Sequence, residues 1–200
     1  MIAIIDYDAG NLKSVEKALH YLGEDAVVTR SREEILMADK VILPGVGAFG
    51  EAMKKLENYH LVDVIKEAAS GKPFLGICLG LQLMFESSEE APGVPGLGIL
   101  NGRILRIPDS AGLKIPHMGW NSLTIKEGTK LFSSVPDQSY VYFVHSYYLK
   151  AEKEEEVAAS TQYGVMIHAA VEKDNIFACQ FHPEKSGEVG LKILKNFAKV

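Results

Sequence analysis

The chain of 200 residues is poor in cysteine, with only two, and carries a single tryptophan. Two cysteines are too few for the disulfide framework of a small secreted scaffold and fit a reducing compartment. No stripe of positive charge is present. Lysine and arginine number 21 against 26 aspartates and glutamates, a formal net charge of −5, which argues against nucleic acid or an anionic membrane as the main partner. No apolar run is long enough to span a bilayer. The apolar start, Met1 to Asp6, lacks a basic flank and reads as a first strand, not as a signal peptide; the expected location is cytoplasmic. No second Cys or His stands at metal-ligand spacing from His117, His145 or His168, so neither a metal nor a cofactor is expected. Internal repeats and low-complexity tracts are also missing, and Glu152–Glu156 reads as a solvated turn. What is present is the ordinary content of a globular protein, 47% hydrophobic and 24% charged. The length suits one domain over residues 1–200 and hardly two.

The first half alternates strand and helix. Ile2–Tyr7, Ala26–Arg30 and Lys40–Leu43 read as strands, and Asn11–Leu22 as an amphipathic helix. Helical stretches near Gly50–Asn58 and Leu61–Ser70 precede an apolar run that ends at Cys78. Such alternation predicts an α/β fold, a mostly parallel central sheet flanked by helices. After Glu86 the texture changes. Ser87–Gly98 is a Gly/Pro loop, and the clearest segments beyond it are short strands: Gly102–Ile107, Ser122–Lys126, Tyr140–Leu149, Val157–Thr161 and Val165–Val171. They predict additional antiparallel strands in the C-terminal half, closed by a helix over Gly187–Lys199.

The chemistry concentrates in Gly76-Ile-Cys78-Leu-Gly80. A strand, a cysteine between glycines and a helical run over Leu79–Glu86 describe a nucleophile elbow with sulfur in place of a serine oxygen. The helix start would bring N–H groups and partial positive charge beside the sulfur, the setting that activates a thiol. Far along the chain, a second apolar run delivers His182, followed by Pro183 and Glu184. A Cys–His–Glu triad needs these parts: a nucleophile, a base that takes its proton, and a carboxylate that orients the base. Taken alone, His182-Pro-Glu184 would read as a strand-end histidine before a surface turn; the cysteine elbow favours the triad. Cys179 lies inside the apolar run and reads as core, and His20 and His60 as surface residues.

The loop Pro44-Gly-Val46-Gly47-Ala-Phe-Gly50 follows the third strand. A glycine-rich loop at a strand's carboxyl end can turn backbone N–H groups into a cleft, and acyl chemistry needs two such donors for its oxyanion. Phosphate binding is the competing reading, but the spacing matches neither the dinucleotide fingerprint nor the Walker loop.

These motifs together resemble the class I, triad-type glutamine amidotransferases over nearly the whole chain, which implies a flavodoxin-like arrangement of the sheet. Within that class, four stretches are similar to the glutaminase subunits of imidazole glycerol phosphate synthases. They are Pro44–Gly47, Pro116-His-Met-Gly-Trp120-Asn, Tyr142-Phe-Val-His-Ser-Tyr147 and His182-Pro-Glu-Lys-Ser186. Other branches usually carry Pro-Gly-Gly in the loop, so Val46 discriminates. The resemblance implies hydrolysis of glutamine to glutamate and ammonia through a thioester on Cys78. The ammonia would be channelled to a (β/α)8-barrel cyclase subunit that forms imidazole glycerol phosphate and aminoimidazole carboxamide ribotide in histidine biosynthesis. It assigns Cys78, His182 and Glu184 to the triad, and the N–H groups of Val46 and Leu79 to the oxyanion. Gly47, Gln82, Ser146 and Tyr147 become substrate contacts, although Gln82 also reads as a solvated helix residue and Tyr147 as a core aromatic. Asn11, Trp120, Tyr142 and Lys185 become candidates for the partner interface, with Trp120 equally readable as core. A different cysteine hydrolase acting alone, or an inactive scaffold for the cyclase, are the readings from other classes.

Overall fold

The computed structural model describes residues 1–110 and 112–200. Its elements run β1 (Ile2–Ile5), α1 (Leu12–Tyr21), β2 (Ala26–Thr29), α2 (Arg32–Met37), β3 (Lys40–Gly45), α3 (Phe49–Asn58), α4 (Val62–Gly71), β4 (Phe74–Cys78) and α5 (Leu79–Leu83). The second half adds β5 (Ser87–Ser88), β6 (Gly102–Arg106), β7 (His117–Ser122), β8 (Thr124–Ile125), β9 (Tyr140–His145), β10 (Tyr147–Ala151), β11 (Val157–Tyr163), β12 (Val165–Lys173), β13 (Ile176–Cys179) and α6 (Gly187–Lys199).

An eight-stranded sheet in the order β2-β1-β3-β4-β13-β12-β11-β8 forms the centre. The five strands from β2 to β13 are parallel, and β12, β11 and β8 continue it antiparallel. The run Phe74–Cys78 is buried at every position, as an interior parallel strand covered on both faces must be. Alternate side chains divide between two cores. Ile2, Ile4, Leu75, Ile77 and Phe177 face α1 and α6, while Ala3, Ile5, Val41, Leu43 and Phe74 face α2 to α5. The helices supply the matching stripes, Val15, Ala18 and Leu19 on α1 and Ile193, Leu194 and Phe197 on α6. Cys179 lies fully buried in this packing, as expected of a core thiol. No helix among the described residues is long and apolar enough to cross a membrane.

Several segments differ from their reading in sequence, and β5 and most of β7 are strands that it did not mark. Helix α2 was not anticipated, although Ser31-Arg-Glu-Glu34 has the spacing of a capping box and Ser31 Oγ accepts from the Glu34 N–H at 3.4 Å. The helix after Cys78 ends at Leu83 instead of reaching Glu86, because Met84 and Phe85 bond back in tighter i to i−3 turns. The span Ser122–Lys126 holds the end of β7 and all of β8, which belong to different sheets. Tyr140–Leu149 is likewise two strands. Its first part pairs with β7 and its second with β6, and the break falls at Ser146.

Candidate active site

Cys78 and His182 emerge at the carboxyl end of the parallel sheet, where ligands bind in open α/β folds. Cys78 is the last residue of β4 and sits at φ 54°, ψ −108°, a strained conformation for a residue with a side chain. The strand and helix pack tightly enough that a Cβ on Gly80 would stand 1.7 Å from the Leu43 carbonyl oxygen, and one on Gly76 2.5 Å from Met84 Sδ. Both glycines are therefore required by the close approach. The expected elbow is present, but α5 has only five residues. Cys78 directly precedes its first turn, while the helix dipole is smaller than a full-length helix would provide.

Strand β13 runs parallel to β4, with Cys179 opposite Ile77, so the segment just beyond it carries His182 to the same end of the sheet. His182 Nδ1 bonds Glu184 Oε1 at 2.7 Å, with the imidazole 1% and the carboxylate 0% exposed. Its Nε2 makes no hydrogen bond. Burial by itself would hold the imidazole below its ordinary value. The nearby sulfur of Cys78 and the carboxylate of Glu184 reverse this and push it up to about 9. The turn after His182 is fixed by Ser186, whose Oγ donates to the His182 carbonyl at 2.6 Å and accepts from the Tyr142 N–H at 3.0 Å. The His182 N–H donates to the Tyr142 carbonyl at 3.0 Å, which ties β9 to the imidazole from the other side.

A cavity of about 400 Å³ opens over these groups, lined by Val46, Gly47, Cys78, Leu79, Gln82, Ser146, Tyr147 and His182 among others. Register explains why the glycine loop reaches it, since Gly45 is paired with Cys78 and Val46 is the first residue beyond the strand. Val46 does not adopt the left-handed region; the positive φ of this loop, 105°, falls on Gly47. Tyr7 anchors the loop from behind through a 3.0 Å bond from its buried hydroxyl to the Pro44 carbonyl. Burial, with the nearby Cys78 adding to it, pushes that hydroxyl well above its ordinary value.

The expected triad, loop and substrate residues thus converge on one site. The interface candidates are more dispersed. Trp120 is 55% exposed and packs edge-to-face against Tyr142, its partner in the β7–β9 register, at 6.1 Å between centroids; it is not a core residue. Lys185 is exposed in the turn after His182. Asn11 makes a contact the sequence did not suggest, its Nδ2 donating to Glu184 Oε1. Gln82 is buried rather than solvated: its Nε2 donates to the Tyr147 carbonyl at 3.1 Å and to Gln180 Oε1 at 3.0 Å.

Some residues of the site left little trace in the sequence. Gln180, fully buried, places its Nε2 3.7 Å from Cys78 Sγ; it looked like part of an apolar run. Glu90 lines the cavity and accepts from the Phe49 N–H at 2.9 Å, capping α3 from the Gly/Pro loop. The lone polar residue before His182 was the available signal for Gln180, and Glu90 offered none.

A buried imidazole with one nitrogen on a carboxylate and the other free, beside a thiol on a strained turn, is equipped for nucleophilic attack on a carbonyl carbon. Comparison with known proteins gives the family. Over 201 aligned residues the chain is 53% identical to the imidazole glycerol phosphate synthase subunit HisH of Caldanaerobacter subterraneus subsp. tengcongensis, covering 100% of this chain and 98% of the relative. It is 52% identical to the HisH subunit of Methanothermobacter thermautotrophicus, with the same coverage. A crystal structure of a glutamine amidotransferase shares the fold with a TM-score of 0.76 at 21% identity, over 99% of this chain and 100% of that one. The structure of PurLQS from Thermotoga maritima does so at 0.72 and 21%, over 99% of this chain and 97% of the other. The family described as glutamine amidotransferase class-I matches residues 3–200, and the chain belongs to that family.

Proposed function

We propose that this chain, acting as one unit over residues 1–200, is the glutamine-hydrolysing subunit of an imidazole glycerol phosphate synthase. It would supply ammonia to a (β/α)8-barrel cyclase subunit bound over the cavity. The observation that carries the reading is a cavity lined by Cys78, His182 and the loop residues Val46 and Gly47, with Glu184 bonded to His182 behind it, in a chain so similar to HisH subunits. The cyclase would then form imidazole glycerol phosphate and aminoimidazole carboxamide ribotide.

In the first half-reaction His182 Nε2 takes the thiol proton, and the sulfur attacks the carboxamide carbon of glutamine. Glu184 holds Nδ1–H so that Nε2 is the basic nitrogen, and it stabilises the cation that forms. The N–H groups of Leu79 and Val46 receive the oxyanion. Collapse of the tetrahedral intermediate breaks the C–N bond, and the proton on Nε2 leaves with ammonia. A γ-glutamyl thioester remains on Cys78. Water, deprotonated by His182, then cleaves that thioester to glutamate and returns the proton to sulfur. Gln82, Gly47, Ser146 and Tyr147 line the cavity and would hold the substrate. Ammonia must pass directly to the acceptor, because in neutral water it is largely protonated and no longer nucleophilic.

Cys78→Ala tests the assignment. Glutamine-dependent product formation by the assembled enzyme should be abolished, while product formation from added ammonia stays close to that of the parent. Equal loss of both reactions would show that the mutation acts on assembly and that the roles are misassigned.

A further inference from the structure

Two buried histidines, His117 on β7 and His145 at the end of β9, have no part in the reaction above, yet their ring nitrogens are fully engaged. His145 Nδ1 lies 2.8 Å from the Tyr147 carbonyl, which can only accept, so this nitrogen carries the hydrogen. A neutral ring then leaves Nε2 as an acceptor. It stands 3.0 Å from His117 Nδ1, which must therefore donate. His117 Nε2 in turn accepts from Asn121 Nδ2 at 3.3 Å, and the orientation of that amide is set by the Ser122 N–H on its oxygen at 2.9 Å. Every donor direction in the chain follows from its two ends.

The series continues past Tyr147 to the nucleophile. The same carbonyl accepts from Gln82 Nε2, whose other hydrogen goes to Gln180 Oε1; Gln180 Nε2 reaches Cys78 Sγ. We propose that His117 and His145 are positioning residues for glutamine hydrolysis: a neutral tether from Asn121 that fixes the Tyr147 carbonyl and, through Gln82 and Gln180, sets the sulfur of Cys78 for attack.

The surroundings suit a tether that stays neutral. His117 is 2% exposed and lies stacked between Tyr163, at 3.9 Å, and Phe143, at 4.6 Å. Burial holds both rings far below the ordinary value of a histidine, at about 4 for His117 and about 3 for His145. A proton on His145 Nε2 would meet the His117 Nδ1–H head to head across the 3.0 Å contact, and one on His117 Nε2 would face the Asn121 amide N–H at 3.3 Å. Tyr147 needs such an anchor because it follows the break between β9 and β10. A merely structural role would be carried by the ring faces, whereas this role depends on the nitrogens.

The inference rests on the proposed glutamine hydrolysis, and the experiment separates the two. His145→Phe keeps a ring but removes both nitrogens; His145→Asn keeps an amide N–H near the place of Nδ1. In the assembled enzyme, His145→Phe should lower kcat for glutamine by at least about tenfold with a much smaller change in KM, and His145→Asn should recover most of it. His117→Phe, which preserves the aromatic stack, should lower kcat in the same sense. Imidazole nitrogen NMR of the parent chain at neutral pH should show both rings neutral with hydrogen on Nδ1, a reading that needs no variant to fold. Parent-like kcat in His145→Phe, equal loss in the Phe and Asn variants, or hydrogen on Nε2 of either ring would overturn the tether. A parent enzyme that releases no ammonia from glutamine would count against the proposed function instead.

Discussion

At the scale of single residues, the site depends on contacts that give one side chain two neighbours of different character. His182 is the clearest case, since burial opposes its charge while Cys78 and Glu184 favour it. Glu184 Oε1 is shared between His182 Nδ1 and Asn11 Nδ2, and Oε2 is buried without a partner. A carboxylate held this way can leave only by breaking two bonds at once, which makes it a rigid orienter. Glu184→Gln should therefore fold and bind glutamine but turn over more slowly. The loss should reach up to about 10⁴, as when a serine-protease triad carboxylate becomes an amide and the wrong imidazole tautomer is favoured. The same substitution should bring the His182 titration down from about 9, measurable by NMR of the imidazole. Unchanged turnover together with an unchanged titration would demote Glu184 to a turn residue.

Among the elements, the β3–α3 loop is the one whose backbone bears on the proposed oxyanion site. Gly47 carries its positive φ, and Val46 occupies the position where a branched side chain resists one. Turning the Val46 N–H into the cavity is thus costly in this chain, and a partner that binds the turned state more tightly would shift the loop towards it. Glutamine would then be hydrolysed slowly until an acceptor is waiting. Val46→Gly should raise basal hydrolysis and shrink the stimulation expected from a ligand of the proposed cyclase subunit. Steady-state kinetics of both enzymes, with and without that ligand, decide the matter. If the basal rate stays low and the stimulation large, the gate lies in another element. The anchoring of Pro44 by Tyr7 limits the movement to the residues beyond the strand.

For the whole molecule, the β7–β9 ribbon is the part that links the cavity to an outer face. Trp120 and Met118 point outward at 55% and 62% exposure, while the register neighbour of Trp120, Tyr142, is hydrogen-bonded on both backbone atoms to the His182–Ser186 turn. An exposed tryptophan packed on the strand that holds the His182–Ser186 turn is the kind of anchor around which interfaces concentrate their affinity. Trp120→Ala should weaken the complex with the proposed cyclase subunit by at least about 1 kcal/mol. Because Trp120 is the sole tryptophan, its emission should shift to the blue as the parent complex forms. A titration with no shift, and equal affinity for parent and variant, would move the interface elsewhere.

Local chemistry made much of this protein legible from the sequence. The glycines around Cys78, the proline after His182 and the alternation of apolar runs with amphipathic helices each act over a few residues, so the elbow, the second strand-end residue and the parallel half of the sheet could be read directly. The helix Gly187–Lys199 is found with the same bounds as its apolar pattern suggested. Other features were set by partners far away in the chain. The break at Ser146 exists because Tyr140–His145 pairs with β7 and Tyr147–Ala151 with β6, and no local pattern distinguishes two such strands from one. Gln180, in an apolar run, acquires meaning from Cys78 at a separation of 102 residues, and Asn11 from Glu184 at 173. Sequence determined which groups could do chemistry; packing of the sheet determined which of them meet, because a hydrogen bond or a buried charge is specified by distance in space and not along the chain.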